Sequence, residues 1–283
     1  MTNAIYLTTT EPYSGKSVTA LGLMNLLAGK TDKIAYFKPI ISREPPEKDN
    51  HLVMIAGHFN LTTKYEEMYA YTRTQAFNLI NSGKEAQMID GIIESFKRLQ
   101  KRFDFVVVEG TDFTGTSTNI EFKGNITIAK NLGIPAVIIV KGEGKTVQEI
   151  VDTSVSNTKS FRDEGVQVLT LVANKIGKDI AEPLKEKLGK ALPKDVIVTT
   201  FPATRELGSP TMKEIRDAVD GTILFGENLL SNQVDHSIVG AMQLHNALTR
   251  LNKNTLIVTP GDRGDIIIGA LQANISKNYP KVA

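Results

Sequence analysis

Residues 4–17 read A-I-Y-L-T-T-T-E-P-Y-S-G-K-S, a short apolar strand running into Ser14-Gly15-Lys16-Ser17. A strand that ends in such a turn and then opens a helix is most of a phosphate-binding loop. Glycine lets the backbone bend so that amide N–H groups point inward at phosphate oxygens. Lys16 is placed to reach the outer phosphates, and the Ser17 hydroxyl to hold magnesium. Residues 18–28 continue as a helix whose N-terminal partial charge favours an anion. The full pattern begins with Gly, and here that position is Thr10. An altered first turn of the loop is therefore expected.

Outward from this loop, strands and helices alternate. Residues 33–37 read as a second strand that closes at Lys38-Pro39. Residues 84–99 carry Met88, Ile89, Ile92, Ile93, Phe96 and Leu99 at helical spacing. Residues 105–108 are continuously apolar, as in a sheet buried on both faces, and 135–140 and 166–172 repeat that character. A helix is read at 146–161 and a last strand at 195–201. The pattern predicts an α/β fold: a P-loop NTPase-like, mostly parallel sheet wrapped by helices.

Near Phe201-Pro202 the pattern changes, and the stretch to Pro210 reads as a linker. A smaller α/β unit follows. It has a helix at 211–219, short segments at 221–224 and 237–242, a helix at 244–251, a strand at 255–259 and a helix at 265–278. The expected domains are 1–203 and 211–283. Val282-Ala283 reads as the opening of a strand, so a second domain truncated at its C-terminus, and a chain that is a piece of a longer protein, are expected.

The net charge of +2 gives no reason to expect nucleic acid or an anionic membrane as partner. Cysteine is absent, which excludes disulfides and thiolate chemistry. The first residues read as a strand and not as a basic-then-apolar leader, and no apolar run approaches the ~18 residues that span a bilayer. A cytoplasmic chain is expected. His51, His58, His236 and His245 show no familiar metal-ligand spacing and read as surface or satisfied polar residues.

Candidate site residues lie at strand ends. Glu109 follows F-V-V-V and precedes Gly110, the place where a phosphate-loop protein puts a magnesium ligand; the alternative is a cap. Asp112 is a second acid there. Lys38 can face the same crevice as Lys16. Asp49, in K-D-N-H, is either a further magnesium contact or a solvated surface residue. Asn174 closes a strand and can meet a purine edge or form a turn. Residues 139–146, I-V-K-G-E-G-K-T, are a near-copy of the phosphate loop and read as a strand-end loop lining the crevice. Asp262-Arg263-Gly264-Asp265 reads as an ion-pair cluster or an anion contact. No serine, histidine and acid set points to nucleophilic catalysis, so no catalytic residue is expected in this chain.

E-P-Y-S-G-K-S, F-K-P-I, F-D-F-V-V-V-E-G-T-D-F and V-A-N-K, in this order, resemble the dethiobiotin-synthetase-like domain of long bacterial phosphate acetyltransferases. The second unit resembles the domain that follows it there, named for a D-R-T-G-G motif; here the motif departs after Asp262-Arg263. The resemblance implies the regulatory and oligomerising N-terminal part of such an enzyme, which moves an acetyl group between coenzyme A and phosphate. Acetyl-CoA would bind only in a catalytic domain missing from this chain. It implies ATP or another nucleotide with Mg2+ at Thr10, Glu11, Ser14, Gly15, Lys16, Ser17, Lys38 and Asn174, with Ser17, Glu109 and Asp49 on the metal. Expected partners are the chain's own catalytic domain, further copies in a homo-oligomer, and a small-molecule metabolite effector. The alternatives are a free-standing ATP-dependent ligase of the dethiobiotin synthetase type and a nucleotide-sensing or vestigial scaffold.

Overall fold

The sheet of the first unit is made of β1 (Ala4–Thr9), β2 (Ile34–Ile41), β3 (Tyr69–Thr72), β4 (Phe105–Glu109), β5 (Ala136–Lys141), β6 (Val168–Ile176) and β7 (Ile197–Pro202). Their order is β3-β2-β4-β1-β5-β6-β7, and each neighbouring pair is parallel. The computed structural model describes residues 3–111, 118–204 and 207–282. Asp112 and Ala283 lie outside them.

Parallel strands need crossovers, and helices supply them. These are α1 (Lys16–Ala28), α2 (Asn50–His58), α3 (Arg73–Asn81), α4 (Glu85–Gln100), α5 (Thr118–Leu132), α6 (Val147–Asp163) and α7 (Ala181–Ala191). Side chains alternate across each strand. Ile5, Leu7, Tyr36, Val107 and Ile139 therefore share one face, covered by Ala20 and Met24 of α1 and Leu52 and Ile55 of α2. Tyr6, Phe37, Val106, Val108 and Ile138 share the other, under Phe96 of α4, Ile126 of α5 and Phe161 of α6. Burial on both faces explains the unbroken apolar runs of the central strands.

Three local readings need correction. The second strand does not close at Lys38-Pro39 but runs to Ile41. Pro39 falls past Phe37, the last β2 residue paired with β4, while β3 pairs with Lys38, Ile40 and Ile41. The missing N–H of Pro39 therefore breaks no ladder bond. Residues 50–81 include α2, β3 and α3, none of them read from the sequence, and Asp49, one reading of which was a solvated surface residue, is the N-cap of α2. No strand forms at 279–282; the Lys281 carbonyl instead accepts a 2.9 Å hydrogen bond from the Asn254 N–H.

Residues Thr204–Ala283 form a second compact unit. It contains α8 (Met212–Ala218), β8 (His236–Val239), α9 (Leu244–Leu248), β9 (Thr255–Val258) and α10 (Gly264–Ile275). Thr211 and Glu214 form a capping box at the start of α8. The two strands pair in parallel. Val234, Ala247, Leu251, Ile266 and Ala273 are buried in its core. Among the described residues no helix is long and apolar enough to cross a membrane.

Candidate phosphate-binding site

Strand parity aims the site. Ile34 and Tyr36 of β2 lie under α1 and α2, and Lys38 follows at the same parity. Val107 of β4 lies there too, and Glu109 follows it. The C-terminal ends of β2 and β4 thus deliver a lysine and a glutamate beneath the first turns of two helices. In open parallel sheets, ligands bind at this edge.

Glu109 is fully buried. Its Oε1 lies 3.1 Å from Lys16 Nζ, and its Oε2 accepts a 2.6 Å hydrogen bond from the Tyr36 hydroxyl. His51 Nδ1, from the first turn of α2, lies 3.1 Å from both carboxylate oxygens. Lys16 Nζ also donates to the Gly110 carbonyl at 2.6 Å. Burial by itself would push the Glu109 carboxyl up. The Lys16 ammonium, the His51 hydrogen bond and the Lys38 charge outweigh it and hold Glu109 well below the usual carboxylate range.

A second buried pair adjoins the first. Lys38 Nζ lies 3.1 Å from Asp49 Oδ2, and both residues are buried. Asp49 is the N-cap of α2. Its Oδ1 accepts from the N–H groups of His51 and Leu52 at 3.0 and 3.2 Å. Its own N–H donates to the Tyr65 hydroxyl at 2.7 Å. Asp49 is therefore not a solvated loop residue: the first turn of α2 has orphan donors, and this carboxylate satisfies two of them.

The loop between β1 and α1 is held from three sides. The Ser14 hydroxyl donates to the Glu11 carbonyl at 2.5 Å, Asn174 Nδ2 to the Ser14 carbonyl at 2.8 Å, and Lys145 pairs with the Glu11 carboxylate. Its left-handed positions are Tyr13 (φ 57°) and Gly15 (φ 86°). Thr10 is thus not asked for a conformation that favours glycine. Its buried hydroxyl has no hydrogen-bond partner among the described residues. Gly15 caps α1 with no side-chain bond to the first turn, and that turn carries no acid. No side chain caps the N–H donors of this turn, and Ser17 within it is half-buried.

Gly15 has no room for a side chain. A methyl there would lie 2.0 Å from Asn174 Nδ2, at a positive φ. Gly15→Ala is expected to destabilise the protein by ~1–3 kcal/mol and to break the Asn174 contact. Thermal unfolding checks this; an unchanged midpoint would mean that the loop is not held this way.

Lys16, Ser17, Lys38, Glu109, Asp49, Asn174, Ser14, Gly15, Thr10 and Glu11 all sit at this strand-end edge. The near-copy at 139–146 is a strand-end loop whose Lys145 reaches Glu11. Its Thr146 is committed to a capping box with Glu149 at the start of α6. Arg263 pairs with Asp265 at 2.8 Å and donates to the Met242 carbonyl at 2.7 Å. The Arg263 hydrogen bond holds the Asp265 carboxyl down at about 2. Asp112 lies outside the described residues.

Sequence reasoning missed Tyr36, His51 and Tyr65. Tyr36 shares the parity of Lys38 two residues on, which is a usable signal. His51 was read as a surface or satisfied polar residue; it is half-buried against Glu109.

The sequence model of an AAA domain matches residues 3–211, and that of a DRTGG domain matches residues 214–277. A phosphate acetyltransferase of Nitratidesulfovibrio vulgaris is 36% identical over 290 residues, covering 100% of this chain and 41% of that protein. One from Synechocystis is 35% identical over 286 residues, with coverage of 100% and 41%. An ATP-dependent dethiobiotin synthetase of Clostridium kluyveri is 25% identical over 191 residues, covering 64% of this chain and 77% of that protein. The chain thus spans 41% of the length of the two phosphate acetyltransferases it matches from end to end. With a P-loop-type parallel sheet in place and the match running across residues 3–211, this chain belongs to the AAA domain family, its first unit carrying that domain and a DRTGG domain following it.

Proposed function

We propose that this chain is the N-terminal regulatory and oligomerising part of a phosphate acetyltransferase, and that its first unit senses an adenine nucleotide or a related phosphate ligand. Acetyl transfer between coenzyme A and phosphate would reside in a domain outside this chain. The end-to-end match to two phosphate acetyltransferases supports the first half. The buried cluster of Lys16, Glu109, Lys38 and Asp49, beside the uncapped start of α1, carries the second.

The residues suit a phosphate ligand with magnesium. Amides of the first turn and the Lys16 ammonium would take phosphate oxygens, Lys16 turning away from Glu109. Ser17 and Glu109 offer the hard oxygens that Mg2+ prefers, and the metal would complete its shell with phosphate and water. Among the described residues no group of three or more His, Asp or Glu side chains forms a metal cage. A metal held jointly with its nucleotide is the mode that remains. Asp49 holds Lys38 and caps α2, so we assign it to positioning. Asn174 spends one N–H on Ser14; its other N–H and its carbonyl can meet an adenine edge.

Two assays test this reading, and the second separates it from a ligase. With acetyl-CoA and phosphate, the 283-residue chain is expected to show no acetyl transfer. With Mg·ATP under the assay conditions of an ATP-dependent dethiobiotin synthetase, diamino-acid substrate included, it is expected to release no phosphate above background. Turnover in the second assay would establish the ligase reading and overturn the regulatory one.

A further inference from the structure

α10 buries Ile266 and Ala273 and turns its opposite side to solvent. A solvent-facing side is normally polar. Here it is apolar: Ile267 is 40% exposed, Ile268 63%, Leu271 59% and Ile275 74%. Ile268, Leu271 and Ile275 follow at intervals of three and four residues, and Ile267 lies four before Leu271, so all four form one stripe along the helix. A contiguous exposed apolar stripe on so small a unit marks an interface.

Charge is polarised along the same helix. Asp262 and Asp265 stand at its start, with Arg263 neutralising one of them. Lys277 and Lys281 follow its end, and no acid occurs from residue 266 onward. One end is therefore net acidic and the other basic. A helix of this kind is complementary to itself when reversed: each acidic end meets a basic end, and the two helix dipoles oppose favourably.

We propose that α10 pairs antiparallel with α10 of a second copy of this chain, across a two-fold axis beside Leu271. Ile268 then packs against the second copy's Ile275, and Asp262 stands at the same end of the pair as the second copy's Lys277 and as its Lys281, which folds back onto the Asn274 carbonyl of the last turn. The self-complementary patch is what an isologous dimer requires, since one surface must satisfy both sides. This rests on the proposed oligomerising role of the second unit and names the surface and geometry that serve it.

Sedimentation velocity at tens of micromolar tests the pairing. The wild-type chain is expected to be dimeric. Leu271→Asp is expected to weaken the dimer by at least ~100-fold, because the charge enters both sides of the interface centre. Its far-UV circular dichroism and its Mg·ATP titration should be unchanged, since Leu271 is exposed and lies in the other unit. Asp262→Lys and Lys281→Asp should each weaken the dimer, and the double variant should recover it. A Leu271→Asp chain that dimerises as tightly as wild type overturns the α10 pairing but leaves association through another surface standing. A monomeric wild type overturns both. Failure of the double variant to recover overturns the antiparallel arrangement.

Discussion

Glu109→Ala is expected to destabilise the protein by ~3–5 kcal/mol, the range for removing one partner of a buried ionic group. The carboxylate has no exposure, and the three side chains around it lose their acceptor at once: the Lys16 ammonium, the His51 ring and the Tyr36 hydroxyl. For a chain of this size the loss corresponds to a fall in thermal midpoint of about 10 °C. Lys16→Met with Glu109→Gln should recover much of it, because removing both charges leaves no uncompensated ion in that pair. A midpoint within about 2 °C of wild type for Glu109→Ala would show that the cluster is not buried as described.

The same group sets an acid dependence. Its folded-state pKa is depressed from the ordinary value of 4.5. A depressed carboxylate contributes stability that is present above its unfolded-state pKa and is lost as pH falls through the folded one. The stability gap between wild type and Glu109→Gln should therefore be full near neutrality and narrow steadily as pH drops below 4.5. Chemical denaturation of both proteins from neutral pH down to about pH 3 measures it. A gap that widens on acidification would contradict the assignment.

Lys16→Ala is the second large effect, on ligand affinity. A charge-assisted hydrogen bond to phosphate contributes ~1.5–3 kcal/mol, so the substitution should weaken Mg·ATP binding by roughly 10- to 150-fold. The loss should lie in dissociation of the phosphate end, and adenosine affinity should be unaffected. Equal binding of ATP by wild type and Lys16→Ala would place the phosphates elsewhere.

How much of this was legible in the sequence follows from where each signal lies. The sheet was readable because its central strands are buried on both faces: V-V-V at 106–108 and the run of β5 admit few other readings. Glu109 stood out because it ends an apolar strand, Lys38 because it interrupts one, and Lys16 because it follows Ser14-Gly15 at the start of a helix. The segment 50–81 was not legible. Its helix α2 opens inside a charged stretch, and the residue that starts it, Asp49, also serves as counter-ion to a lysine in β2. β3 is four residues long at the sheet edge, too short for a period to show. α5 mixes Thr, Asn, Gly and β-branched residues, none of which marks a helix. His51 meets Glu109 across 58 residues of sequence, a contact created by the β2–β4 pairing alone. Tyr36 reads as core because it is core, and only its hydroxyl belongs to the site.

The most direct test is a calorimetric titration of the wild-type chain with ATP, with and without Mg2+. Binding of one nucleotide per chain is expected, tightened by magnesium. Magnesium alone should give no heat, since Lys16, Tyr36 and His51 already engage both oxygens of Glu109. A flat titration of wild type with Mg·ATP at millimolar concentration would contradict the nucleotide-sensing site and leave the first unit as a scaffold whose phosphate loop is vestigial.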